Sequence, residues 1–185
     1  MKKSGIRQIL IFSSLIFLLS VIYFLYVRNT HPAIQENESM IGEIGESLGE
    51  LGLWGLLFIY ARTLFKILLG KGKIAQRILP GHTMKMEIPL FNIVLHFLDR
   101  THVYVGIITI AVILLHISFM GIPMDILFFP AVLALIIWQG LFGLFLSWRY
   151  TMAELRKLSY LVHAQLFTGI MIGIFAFFGH LLIDD

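Results

Sequence analysis

The sequence predicts an all-α fold, an integral membrane bundle of five transmembrane helices with a cytoplasmic amino terminus and an external carboxyl terminus. Three observations carry this. The 185 residues are 58% hydrophobic and only 14% charged, with a mean hydropathy of +0.89. The apolar runs are long: 8–27, 102–122, 126–147 and 158–182 each meet the roughly 20 residues that a bilayer's hydrocarbon requires of a helix, and 48–70 does so with Arg62 and Lys66 embedded in its second half. The runs do not alternate as barrel strands do, so the backbone must satisfy itself as helix.

Third, the bases are sorted by side. Lys2, Lys3 and Arg7 precede the first span, Lys71, Lys73, Arg77, Lys85 and Arg100 lie between the second and third, and Arg149, Arg156 and Lys157 lie between the fourth and fifth. The opposite loops hold Arg28 beside Glu36, Glu38, Glu43, Glu46, Glu50, Asp125, Asp184 and Asp185. The positive-inside rule therefore places the amino terminus in the cytoplasm. Bases sorted in this way are a membrane signature, not a nucleic-acid one. Cysteine is absent, which excludes disulfides, thiolate metal sites, iron–sulfur clusters and covalent haem attachment.

The first helix (8–27) follows the basic stretch MKKSGIRQ, as a signal peptide would. Its apolar run is long, and YVRNTH rather than a small-x-small cleavage site comes next, so an uncleaved anchor is expected. Residues 1–47 are then an anchor helix and an acidic outer loop, with room for a short surface helix, and 48–185 form a four-helix domain. The second helix (48–69) returns inward. Pro80, Gly81 and Pro89 break the cytoplasmic segment that follows, whose mixture of bases with Ile, Leu, Met and Phe suits the anionic inner leaflet. The third helix (92–120) ends at Gly121 and Pro123, and the short turn GIPMD makes the fourth (126–147) its antiparallel neighbour. The fifth (155–182) runs outward again.

Seven histidines are present. His31 and His82 fall in loops and read as solvated, and His96 reads as interfacial. The other four are His102 and His116 on the third helix, and His163 and His180 on the fifth. Those helices run parallel, so His102 can face His163 in the inner leaflet and His116 can face His180 in the outer. The fourteen residues between His102 and His116 rise about 21 Å and return to within about 40° of the starting direction, or fully if the bundle is underwound. Two levels of opposed imidazoles are what two stacked bis-histidine haems require, because neutral imidazole is a standard axial ligand of haem iron. Interhelical hydrogen bonding, worth about 0.6–2 kcal/mol each, is the plainer explanation for any single one. The outer pair fits less well: His163 and His180 are separated by about 25 Å of helix and an ideal rotation error of about 100°, which tilt, underwinding or a bulge near Gly179 must recover.

Arg100, Arg62, Lys66, Arg149, Arg156 and Lys157 gather at the cytoplasmic end, where haem propionates want cations. For Arg62 and Lys66, snorkelling is an equal explanation. Gly106, Gly169 and Gly173 offer backbone against which a flat macrocycle can lie, as they equally offer helix packing.

The stretch DRTHVYVG, followed by LLH at His116, resembles the third helix of the ferric reductase-like transmembrane domain. That superfamily includes NADPH oxidases, iron reductases and the haem-binding membrane subunit of bacterial methionine sulfoxide reductase. GLWGLLFIYARTLFKIL resembles its second helix, and His163 and His180 stand where it carries two more histidines, so the likeness spans roughly 50–182. The resemblance implies two b-type haems, an inner one on His102 and His163 and an outer one on His116 and His180, carrying electrons across the cell's inner (plasma) membrane. The spacing on the fifth helix is longer than the family's usual, and neither its sixth helix nor a flavin- or nicotinamide-binding domain has a counterpart. The implied protein is an electron-transfer oxidoreductase subunit whose donor is a separate reductase or quinol and whose acceptor is an external protein or ion.

Two rivals stand beside it. One is a non-haem membrane protein whose histidines relay protons or coordinate a transported metal ion. Against it stands the expected lack of carboxylates inside the helices. The other is a structural subunit whose histidines only hydrogen-bond.

Overall fold

In a computed structural model that describes residues 5–30, 39–81 and 89–183, the chain is helical throughout, with no strand among those residues. The elements are α1 (Gly5–Thr30), α2 (Met40–Leu68), α3 (Gly72–Ile78), α4 (Pro89–Met120), α5 (Phe128–Ser147), α6 (Ala153–His163) and α7 (Leu166–His180). Helices α1, α2, α4 and α5 are each long and apolar enough to cross a membrane. Helices α6 and α7, bent by 48° across the break between them, meet the same standard only when taken together as one span. By length and composition this is a multi-pass membrane protein.

Two boundaries differ from the sequence expectation. Helix α2 starts at Met40 rather than near residue 48, so the stretch MIGEIGES is helix, not loop. Ser39 caps it: its side-chain oxygen accepts from the Gly42 N–H at 3.2 Å, satisfying one of the orphan donors of the first turn. Glu43, Glu46 and Glu50 therefore lie within a helix. The other end of α2 closes where Gly70 turns the chain at a φ of 66°, and the Lys71 N–H donates back to the Lys66 carbonyl at 2.8 Å. The second difference is the fifth span. It is broken at Ala164 and Gln165, a point with neither glycine nor proline.

Packing divides the helices into two groups. Helices α2 and α4 pack along their lengths, antiparallel, through a glycine seam. Gly45, Gly49, Gly52 and Gly55 meet Met120, His116, Ile113 and Thr109 in turn. A side chain at Gly52 would stand 2.8 Å from Ile113 Cγ1, so the absence of Cβ is what lets the backbones approach. In the other group α1 lies on α7, and α5 lies on α6 and α7. Val27, Ile126, Phe128, Phe178 and Leu182 form its buried apolar cluster. Phe24 and Phe17 set their rings against Phe178, each at 5.5 Å.

The turn between α4 and α5 does make these helices neighbours, but they touch only lightly. No Cα of α4 comes within 8 Å of any in α6 or α7. A cleft thus separates α4 from α6 and α7, while α2 reaches α7 where Tyr60 packs on Gly169. The cleft is closed at mid-height by Ile113, Ile136 and Ile172, with Leu56 and Ile110 packed around them.

Candidate functional site

The cleft is bridged by imidazoles. His102 of α4 faces His163, the last residue of α6, with ring centroids 6.0 Å apart and planes at 68°. His116 of α4 faces His180, the last residue of α7, at 6.1 Å and 20°. The structure brings together the four histidines singled out in the sequence, in two pairs on either side of the isoleucine layer. It does so through the break at Ala164–Gln165, which removes the rotation error of an unbroken helix. The expected bulge near Gly179 is not the device: α7 runs unbroken through that residue, which packs on Phe128 and Phe129.

Three of the four rings are oriented by main-chain carbonyls. His116 Nδ1–H donates to Gly45 O at 2.8 Å, His163 Nδ1–H to Gln139 O at 2.9 Å, and His180 Nδ1–H to Ala176 O at 2.8 Å. A carbonyl only accepts, so the proton must sit on Nδ1, and the Nε2 lone pair is left free. This is the arrangement by which ligating histidines are usually held. His102 differs, since its Nδ1 is buried without a partner. Two glycines clear space for rings: a Cβ at Gly49 would stand 2.9 Å from His116 Cε1, and one at Gly143 would stand 2.9 Å from His163 Cε1.

Around the first pair lies a cavity of about 100 Å³, mostly apolar, whose polar lining includes Tyr60, Thr63, Thr109 and Gln139 beside the two histidines. Gly106, one turn beyond His102, lines it and has open space where a Cβ would stand; Gly173 on α7 is likewise open. Gly169 is not, because Tyr60 packs against it.

The cations behave differently from one another. Arg62 Nε and Lys66 Nζ both bind Asp99 Oδ1, at 2.5 and 2.6 Å, so the two bases embedded in α2 meet a carboxylate of α4 one turn before His102. Arg156 donates to the carbonyls of Trp148 and Arg149, closing the end of α5. The Arg149 guanidinium lies 6.0 Å from the centroid of its neighbour Tyr150's ring. Arg100, Lys157 and His96 are exposed at the same end. His31 and His82 lie outside the described residues, as do the acidic residues Glu36, Glu38, Asp184 and Asp185 and the base Lys85. Asp99 and Glu43, Glu46 and Glu50 of α2 lie within helices, each of them exposed.

The glycine seam and Asp99 were within reach of the sequence. Glycines at 42, 45, 49, 52 and 55 recur on one helical face, and Asp99 precedes His102 by one turn. The clearance at Gly143 and the roles of Gln139 and the Gly45 carbonyl carried no sequence signal.

Among the described residues, no three or more His, Asp or Glu side chains gather as a metal site. Each pair can offer a metal two imidazoles, so the other ligands must come with the group itself. Ring centroids 6.0 and 6.1 Å apart leave room for one metal between the imidazoles of each pair, so this donor set would fit haem, whose macrocycle would supply the remaining ligands. No family model, no curated protein and no solved structure matches this chain.

Proposed function

We propose that the protein is a di-haem b-type membrane cytochrome that passes electrons between the two faces of the inner (plasma) membrane. The observation that carries this is the pair of opposed imidazoles at two levels, 6.0 and 6.1 Å between centroids, with three of the rings turned by carbonyls to leave Nε2 free. His102 and His163 would hold the inner haem, and His116 and His180 the outer. When bound, each haem supplies a one-electron couple.

The chain's own part is to hold, orient and insulate. Carbonyls of Gly45, Gln139 and Ala176 keep three imidazoles in one tautomer. Ile113, Ile136 and Ile172 form a buried apolar layer between the two levels. At the basic end, Arg62 and Lys66 share one carboxylate and leave a net positive charge near the inner pair, with Arg100 close by in sequence, to receive propionates. The sorting of bases supports an amino terminus in the cytoplasm and a carboxyl terminus outside. The ferric reductase-like resemblance supports the same function, with a separate reductase or quinol as donor and an external protein or ion as acceptor.

The test is optical. Protein expressed with haem supply should carry two haems per chain by pyridine haemochrome, with a Soret band that shifts on dithionite reduction. His102→Ala and His163→Ala should each remove one haem and leave the other. Colourless wild-type protein, or full haem content in both variants, would refute the reading.

A further inference from the structure

Gln139 is the only carboxamide in α5, and it is 9% exposed. Its backbone carbonyl already holds His163 Nδ1–H at 2.9 Å. Gln139 lines the cavity shared by His102 and His163, yet its Nε2 is buried without a hydrogen-bond partner. His102 borders the same cavity, and its Nδ1 is also orphaned. Burying an unpaired amide N–H is strongly unfavourable, and methionine or leucine would fill similar volume without that cost. Buried polar atoms are almost always paired, so two orphans around one cavity point to an acceptor that belongs inside it.

We propose that Gln139 is a positioning residue of the inner site: its backbone carbonyl holds His163 while its carboxamide N–H donates to an oxygen that arrives with the haem. The inference rests on the di-haem reading. The acceptor is an oxygen in either of two forms, a carboxylate of the haem itself or a water enclosed with it.

The experiment uses the full chain in detergent, in a His180→Ala background that leaves only the inner site, with hemin titrated into haem-free protein. Gln139→Met keeps the backbone carbonyl and the side-chain length but removes the donor. Hemin affinity should fall about tenfold, while the thermal midpoint of the haem-free protein stays level or rises, because an unpaired donor has been removed. A merely structural role would move both in the same direction. Gln139→Leu should repeat the pattern. Iron protoporphyrin dimethyl ester separates the two sources: a deficit that shrinks with the ester identifies the carboxylate, and one that persists identifies water. Hemin affinity unchanged within about twofold, or a haem-free variant that is less stable than its parent, overturns the role of Gln139. Failure of the parent protein itself to take up hemin overturns the di-haem reading instead.

Discussion

At the scale of single residues, clearance matters as much as ligation. Gly49 and Gly143 touch no ligand, yet each stands where a methyl would collide with an imidazole at 2.9 Å. Gly49→Ala should displace His116, and Gly143→Ala should displace His163, each at a cost of about 1–3 kcal/mol. The expected readout is loss of the outer haem in the first variant and of the inner haem in the second, measured by haem content and reduced spectra. Alanine at Gly106, which faces open space, should leave stability unchanged in haem-free protein and matter only once haem is bound. The charged residues follow a similar logic. Asp99 is shared by Arg62 and Lys66, all three partly exposed. Asp99→Asn should lower thermal stability by about 1 kcal/mol, the modest figure due to solvent screening, and the loss should shrink in high salt.

Among elements, the break between α6 and α7 decides how the second group meets α4. It lets one span present His163 at its bend and His180 at its end toward the same neighbour. Inserting one alanine between Ile172 and Gly173 rotates everything after it by about 100°. His180 should then turn away from His116, and the outer haem should be lost while the inner one persists. Difference spectra at one and two electrons per chain would show this. The glycine seam between α2 and α4 is the second decisive element. Gly52→Leu would force Ile113 aside and part the helices, with an expected cost of about 1–3 kcal/mol and loss of haem at both levels.

For the whole molecule, α4 stands apart from α6 and α7 across a cleft with an aliphatic layer at its middle, while α2 reaches α7 and α4 reaches α5. Much of the remaining surface is apolar, including Leu10, Phe12, Leu57, Ile107 and Trp138, as a lipid-facing surface requires. Topology is testable at this scale because the chain has no cysteine of its own. A cysteine placed at Asp184 should react with an impermeant maleimide in intact cells, and one at Lys3 should react only after lysis. The reverse pattern would overturn the orientation drawn from Lys2, Lys3, Arg7 and the other sorted bases.

The sequence alone carried the apolar runs, their order and the spacing of the four histidines along the chain. Hydropathy is a sum over local composition, and depth along a helix follows from residue count at a fixed rise. It also carried, unread, the glycine face of α2 and the single-turn offset of Asp99 from His102. Tertiary packing set the break at Ala164–Gln165 between α6 and α7, the start of α2 at Met40 behind the Ser39 cap, and the carbonyls of Gly45, Gln139 and Ala176 that turn the rings. The reason is physical: the direction of an imidazole depends on helix rotation and on a partner backbone far away in the chain, and the bend that sets this rotation occurs where neither glycine nor proline announces it.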